Sequence, residues 1–396
     1  MPQYPIQLTH GVEAFVHMKN LSEVSLRINP WLSLEKFVPL LKALARVLSG
    51  KTLEKFALSV PLVEMKHVLP FFTRKSSFSL FPRRAGIIIK ELQLTFRLLE
   101  YEDLIDVRFK AEALRYLLPF LIEHSQALES MSLIFRCEGY FAELFRLLLM
   151  VPNLHLSKLA IHGSWAGGWQ YSQQTDIVTK FINSQRSSLT HFTFRPTTSG
   201  GLSRLLSMGE TIDLPNLREF DLDARIAFLD DFQVGPTKMH FALPFRHNIT
   251  SLKLDTTLYQ PEELHDLIQK IHEVVPDLKQ LSIAALYLIP QTIDVIQCSL
   301  RALEVLRFKI ATYGPCWPIG SSGINGVETR SHSEARSFPI DKVYWEWKLK
   351  ELGVFKVCPT CAEIYPVENL VDVLVKCIPS IESVDRSNLC KCFPHL

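Results

Sequence analysis

Leu156-Ser-Lys-Leu159-Ala-Ile161 is one copy of a six-residue string that recurs along this chain of 396 residues. Each copy has an apolar residue, two mostly polar residues, a second apolar residue, one free position and a third apolar residue. Successive copies start about 33 residues apart on average, with single steps of 25 to 46. Such a period is typical of one elongated repeat protein and not of several globular domains. The twelve copies begin at Leu21, Leu53, Ile89, Leu128, Leu156, Leu189, Leu217, Ile249, Leu278, Leu303, Leu349 and, in degenerate form, Ile381.

The string predicts a β-strand, because side chains alternate between the two sides of a strand. Its fourth and sixth positions should enter the core, and its third, fifth and seventh should face solvent. Between strings, apolar residues recur at helical spacing, so we expect parallel strands joined by helical crossovers. A doubly wound domain would instead need glycine-rich phosphate turns and fully apolar strands, and neither occurs. The clearest helical faces are Leu34, Phe37, Val38, Leu41, Leu44, Ala45 and Leu48, and Leu264, Leu267, Ile268, Ile271 and Val275.

The composition favours a folded protein inside the cell. Hydrophobic residues make up 47% of the chain and charged residues 21%, and the net charge of +2 is too balanced for bulk attraction to nucleic acid or anionic lipid. We find no secretory signal pattern and no apolar stretch near the roughly 20 residues that span a bilayer. The eight cysteines are too sparse for a disulfide scaffold and are expected to be free thiols. The expected location is therefore the cytoplasm or the nucleus.

The repeated string resembles the leucine-rich repeat, L-x-x-L-x-L, over residues 18 to 387. That family usually places Asn or Cys three residues after the last leucine; here Asn29 fits, while Thr197, Thr257 and Ser164 could serve in part. The units are also longer than the usual 20–29 residues. The resemblance implies an α/β fold in the form of an irregular leucine-rich-repeat solenoid, a horseshoe with a parallel concave sheet and convex helices.

This interpretation divides the chain into four parts. Residues 1–20 form an N-terminal cap, and residues 21–312 form the leucine-rich-repeat solenoid. Residues 313–348, which are rich in Gly, Ser and Pro, form an insertion that we expect to be partly flexible. Residues 349–396 hold the last repeats and the C-terminal cap. Tyr344, Trp345 and Trp347 are expected to pack where the chain re-enters the solenoid.

The stretch Phe15-Val-His-Met-Lys-Asn-Leu21 makes the repeats similar to those of fungal F-box/leucine-rich-repeat proteins. In that family an F-box docks on a cullin-type ubiquitin ligase and the repeats capture the substrate. The first string starts at residue 21, so the resemblance covers the repeat region alone and no F-box residue is carried over. It implies a substrate receptor of a ubiquitin-ligase adaptor.

Signatures of common enzyme chemistry are missing from the sequence. No P-loop, G-x-G-x-x-G, G-x-S-x-G or H-E-x-x-H motif occurs, so we predict that the protein is not an enzyme and carries no cofactor. His265, His272 and Glu273 share one predicted helix and are interpreted as a solvated face. The alternative is a zinc or redox site at Cys358, Cys361, Cys390 and Cys392, where four thiolates could satisfy tetrahedral zinc, although the second pair is C-x-C.

The solvent-facing strand positions are the candidate binding surface. Basic residues in the fifth and sixth strings are followed by acidic ones in the seventh and by basic ones again, which favours a protein ligand of mixed charge. Trp165, Trp169 and Tyr171 are predicted to lie on a loop after the fifth strand, where aromatic residues suit an interface. The concave candidates are Lys158, His162, His191, Arg195, Glu219, Asp221, Asp223, Lys253, Asp255, Arg307 and Lys309.

Overall fold

The structure of the chain is a computed structural model. It describes residues 22–27, 41–42, 44–45, 48, 52–61, 68–73, 88–97, 116–135, 142–163, 171–196, 212–222, 248–259, 261–285, 288–310, 342–356 and 367–385. The chain forms two compact units, Met1–Asn216 and Leu217–Leu396.

The described residues of the first unit form six parallel strands that pair in chain order. A 3₁₀ turn, Leu69–Phe72, lies between the second and third strands. The strands are β1 Glu23–Arg27, β2 Thr52–Pro61, β3 Ile88–Arg97, β4 Ser130–Phe135, β5 Lys158–Gly163 and β6 His191–Pro196, and the helices are α1 Leu118–His124, α2 Ala142–Leu149 and α3 Tyr171–Ser184.

The described residues of the second unit form six more parallel strands, again paired in chain order. Two of its helices begin with a proline, which lacks the N–H that a first turn leaves unbonded. The strands are β7 Glu219–Leu222, β8 Ser251–Tyr259, β9 Gln280–Ala285, β10 Val305–Ile310, β11 Glu351–Lys356 and β12 Ser383–Asp385, and the helices are α4 Pro261–Val274, α5 Pro290–Ser299 and α6 Val367–Cys377.

These strands confirm the α/β architecture with parallel strands and helical crossovers. Each of the twelve strings coincides with one strand, including the degenerate string at Ile381, which forms the short β12. The predicted face of α4 is buried at Leu264, Leu267, Ile268 and Ile271. In the first predicted helix, the described residues Leu41, Leu44, Ala45 and Leu48 are helical and buried.

Apolar side chains from the strands and helices share one core in each unit. In the first unit, the Phe135 ring of β4 lies 6.2 Å from the Phe145 ring of α2, and Phe145 lies 5.7 Å from Phe181 of α3. Phe56 of β2 lies 6.4 Å from Phe120 of α1. The second unit buries the fourth and sixth string residues of β8, β9 and β10 in the same way. The helices therefore cover one side of each sheet.

The backbone at the second string position links each repeat to the next. The Glu129 carbonyl accepts the N–H groups of Ser157 and Lys158, and the Ser157 carbonyl accepts those of Thr190 and His191. The same pair of hydrogen bonds recurs in the second unit. There each carbonyl accepts the N–H groups of the second and third residues of the next string, and the accepting carbonyls belong to Arg218, Thr250, Lys279, Glu304 and Lys350. The candidate turn residues Asn29, Thr197 and Ser164, and the side chain of Thr257, lie outside the described residues.

Candidate protein-binding surface

The uncovered side of each sheet, called here the open face, carries the third, fifth and seventh residues of the strings. On β4 and β10 these positions are partly exposed, while the residues between them are buried. The alternation predicted from the string is therefore confirmed on these strands. It places Lys158 and His162 of β5 on the open face, and likewise Glu219 and Asp221 of β7.

Four basic side chains lie together on the open face of the first unit. Lys158 of β5 is in register with His191 of β6, and His162 is in register with Arg195. Lys158, His162, His191 and Arg195 are called here the basic quartet. Ala160 and Thr193 face each other between its two pairs. The longer side chains of the quartet therefore surround two small side chains.

The ring of His191 is held by the residue before it. The Thr190 hydroxyl donates to the Ser157 carbonyl at 3.0 Å and lies 2.7 Å from His191 Nδ1. Because the hydroxyl has one proton and gives it to the carbonyl, we assign the proton of the second bond to His191 Nδ1. The imidazole is thereby oriented by the same position that links β5 to β6.

The second unit pairs its open-face charges across neighbouring strands. Lys253 of β8 donates from Nζ to Asp221 Oδ2 of β7 at 3.2 Å. Arg307 of β10 donates from Nε to Glu351 Oε1 of β11 at 3.1 Å. Asp223 and the side chain of Asp255 lie outside the described residues. The acidic and basic patches predicted from the sequence thus include side chains that neutralise each other.

Gly353 of β11 makes room for the second of these ion pairs. A Cβ atom on Gly353 would lie 2.9 Å from Phe355 Cε2 and 3.0 Å from Arg307 Cγ. The Phe355 ring and the Arg307 stem therefore lie across the glycine. Phe355 is buried although it occupies a seventh position, whereas Lys309, in register with it on β10, is partly exposed. The sequence analysis did not name Glu351, Gly353 and Phe355 as residues of the open face. The one sequence signal for them is the eleventh string, since they stand at its third, fifth and seventh positions.

A further ion pair in the same unit joins the second residues of two neighbouring strings. Lys350 donates from Nζ to Glu304 Oε2 at 2.9 Å; the Lys350 side chain is exposed and that of Glu304 is partly exposed. The hydrogen bond and charge of Lys350 lower the pKa of the Glu304 carboxyl below its ordinary value. The same contact raises the pKa of Lys350. Each of the two pKa shifts favours the charged form of its group.

The aromatic candidates are only partly described. Trp165 and Trp169 lie outside the described residues. Tyr171 was predicted on the loop, but it is the first residue of α3, so that prediction was wrong. Farther along this helix, Val178, Phe181 and Ile182 recur at helical spacing and are buried.

Tyr344, Trp345 and Trp347 are the three aromatic residues predicted to pack where the chain re-enters the repeats. Tyr344 and Trp347 are buried, with 3% and 2% exposure, and their rings lie 6.1 Å apart. The prediction was wrong for Trp345, which is 76% exposed. Tyr344 and Trp347 turn inward, whereas Trp345 and Glu346 between them are both exposed.

Asp294 of α5 anchors this segment. Its Oδ1 accepts hydrogen bonds from Lys342 Nζ and from the Tyr344 hydroxyl, each at 2.8 Å. Burial raises the pKa of Asp294, but the hydrogen bonds from Lys342 and Tyr344 outweigh it, and the net shift is downward. Burial, aided by the bond to Asp294, raises the pKa of the Tyr344 hydroxyl well above its ordinary value.

The candidate zinc ligands Cys358, Cys361, Cys390 and Cys392 lie outside the described residues. Within the described part of the chain, Cys298 is exposed and Cys377 is buried, and no group of three metal-binding side chains occurs. His265 of α4 bonds through Nε2 to the Thr292 hydroxyl of α5 at 3.2 Å, while His272 and Glu273 are exposed. Burial raises the pKa of the Cys377 thiol.

Comparison with other proteins adds no family to this description. No protein-family model matches the chain, and no curated protein matches it either. Among the residues that the structure describes, no helix combines the length and the apolar character that crossing a membrane requires.

Proposed function

We propose that the chain is a non-catalytic protein-recognition module built as a leucine-rich-repeat solenoid, with the open face as its concave binding surface. The observation that carries this proposal is the shared register of the open-face side chains. Within each unit, third positions align with third positions and fifth with fifth on every described pair of strands. Aligned rows of polar side chains on a rigid sheet suit the recognition of an ordered partner.

The chemistry of these rows supports a protein partner of mixed charge. The first unit offers the basic quartet, whereas the second offers ion pairs at Asp221 with Lys253 and at Arg307 with Glu351. A polyanion would meet carboxylates at these ion pairs, and like charges across an interface are strongly unfavourable. Nucleic acid and membrane surfaces are therefore poorer candidates than a folded or extended protein segment.

A role as substrate receptor of an F-box-type ubiquitin-ligase adaptor is the specific form of this proposal. It rests on the resemblance of the repeats to those of fungal F-box/leucine-rich-repeat proteins. It predicts that subunits of a cullin-type ligase copurify with the full chain. Stable partners without cullin subunits would support a scaffold instead.

The test is lysine protection in captured complexes. The tagged full chain is isolated with its partners, acetylated at accessible lysines, and compared by mass spectrometry with the protein alone. We expect protection of Lys158 and Lys253 on the open face and unchanged labelling of Lys180 on α3 and Lys376 on α6. Protection confined to Lys180 and Lys376 would overturn the proposal, and so would the absence of any stable partner.

A further inference from the structure

Strand β1 is the first strand of its sheet, and among the described strands it pairs with β2 alone. The Ser22 carbonyl accepts the Lys55 N–H, so the parallel ladder to β2 uses the backbone groups of the even-numbered residues of β1. The N–H and C=O groups of Glu23, Ser25 and Arg27 therefore point to the other edge. No described strand bonds to that row, and an open row of this kind is a template for a further strand.

The core at β1 is covered less completely than the core at the strands that follow. In the strings of β2 to β11, the fourth and sixth residues are at most 3% exposed. In β1, Val24 is 9% exposed and Leu26 is partly exposed. Ser25 is exposed, whereas the fifth residues of the strings of β2 to β11 are partly exposed or buried. Each of those strands has a neighbour on both sides, so a further strand beside β1 would complete its burial.

The sequence of β1 is complementary to itself in the antiparallel direction. Pairing centred on Ser25 sets Glu23 of one copy opposite Arg27 of a second copy, and Val24 opposite Leu26. The residues that become hydrogen-bonded pairs are those with outward backbone groups, and each such pair exchanges two N–H···O bonds. Opposite charges then face each other across the strands, which is favourable. In-register parallel pairing would instead set Glu23 against Glu23 and Arg27 against Arg27, so it is disfavoured.

The two charges of β1 are not matched on the side of β2. Arg27 is in register with Ser59, which carries no charge. Lys55 lies in register between Glu23 and Glu91 of β3, and one lysine cannot match two carboxylates. Neither Glu23 nor Arg27 forms an ion pair with a described residue. Both side chains are exposed and can therefore contact charges of another chain.

We propose that the chain forms a two-fold dimer in which β1 pairs antiparallel with β1 of a second copy. Glu23 of each copy contacts Arg27 of the other, and Ser25 lies at the two-fold axis. Val24 of each copy packs beside Leu26 of the other on the core side of the joined sheet. The contact uses the same surface of both copies, so assembly ends at two chains. The inference goes beyond the recognition role proposed above and does not depend on it.

The dependence of mass on concentration tests the dimer. Five residues from each copy form a small interface, so we expect a weak dimer. Sedimentation equilibrium of the full chain from about 1 µM to about 200 µM covers the range of weak self-association. The mass should rise twofold and then stay constant. A mass that remains that of one chain would overturn the proposal, and so would growth past two copies, which indicates an open, head-to-tail assembly.

Charge reversal tests whether β1 is the interface. Glu23→Arg and Arg27→Glu each set like charges opposite each other at two symmetric contacts, so each should raise the dissociation constant at least about tenfold. The double variant Glu23→Arg with Arg27→Glu restores opposite charges and should return to within about threefold of the parent value. Glu129→Arg, at an exposed glutamate of the same unit, is the control and should change it less than about twofold. Dimerisation unaffected by the single changes, or equally lost in the double variant, would contradict the proposal.

Ser25→Pro tests the backbone pairing without a change of charge. The Ser25 N–H points to the open edge, so proline removes hydrogen bonds of the dimer and none of the ladder between β1 and β2. Circular dichroism should match the parent while the dissociation constant rises at least about tenfold, and Ser25→Ala, which keeps the N–H, should dimerise as the parent does. A folded Ser25→Pro that dimerises as tightly as Ser25→Ala would exclude pairing through β1. If Ser25→Pro does not fold, the charge-reversal variants decide.

Discussion

Gln185 is the first residue after α3, and its side chain bonds to the backbone just before β5. Its side chain is 3% exposed, its Oε1 accepts the Leu156 N–H at 2.9 Å, and its Nε2 donates to the Ser184 hydroxyl at 3.0 Å. A buried glutamine that follows the helix therefore bonds to the backbone just before the strand of the same repeat.

We predict that Gln185→Leu lowers the free energy of unfolding by about 1–3 kcal/mol, because it leaves the buried Leu156 N–H without an acceptor. The exposed Gln280→Leu is the matched control and should change it by less than about 0.5 kcal/mol. Urea unfolding followed by circular dichroism gives both values. Similar losses would show that the buried hydrogen bond is unimportant.

The alternation along β7 and β8 predicts unequal effects for two neighbouring positions. Leu252 is 1% exposed, and Leu252→Ala should cost about 2–5 kcal/mol of stability as a buried truncation. Asp221→Ala removes a partly exposed ion pair with Lys253 and should cost about 1 kcal/mol or less. Denaturant midpoints at constant slope would measure both, and equal costs would contradict the assigned register.

At the scale of single elements, β11 shows where the sequence was sufficient and where it was not. The string at Leu349 located the strand, because its apolar residues alternate and bury Leu352 and Val354. It did not reveal that Glu351 binds Arg307, since that pair joins residues 44 apart that only strand pairing brings together. Nor did it predict burial of Phe355, which alternation places on the open face.

We predict that Gly353→Ala destabilises β11 by about 1–3 kcal/mol, since the new Cβ would collide with the Phe355 ring and the Arg307 stem. In a Phe355→Leu background the same change should cost less, because the ring atoms that it meets are gone. A double-mutant cycle on unfolding free energies measures this coupling. Additive effects would mean that Phe355 does not lie against Gly353.

The hydrogen bonds between Asp294 of α5 and residues 342–347 predict that the stability of the fold depends on pH. The pKa of Asp294 is lower in the folded chain, so its contribution to stability is present above the unfolded pKa and is lost as pH falls through the folded pKa. The stability difference between the protein and Asp294→Asn should therefore shrink as pH falls from about 5 to about 2. Tyr344→Phe removes one of the two hydrogen bonds and should reduce the same dependence. A difference that is constant with pH would contradict this role of the carboxylate.

At the scale of the whole molecule, the strands were predictable because every repeat must bury an apolar face in the same way. Each strand-and-helix repeat has an apolar face that only the neighbouring repeats can cover, so the same string recurs wherever a strand is needed. The pairing of open-face charges was not predictable, because it depends on which residues fall at equal positions of adjacent strings. The links at the second string position are backbone bonds and leave little trace in the sequence.

The same architecture predicts which strands lose protection when one repeat is destabilised. In a repeat protein, stability is close to a sum of unit and neighbour terms, so a destabilised repeat opens with its neighbours before the rest of the chain. In Leu252→Ala, we expect the amides of β7, β8 and β9 to exchange hydrogen faster, while those of β2, β3 and β4 keep their protection. Hydrogen exchange with mass spectrometry under native conditions measures both sets of strands, and Leu133→Ala in β4 is the reciprocal variant that should expose β3, β4 and β5 first. Uniform loss of protection in both variants would indicate one cooperative globular core and would contradict the proposed solenoid.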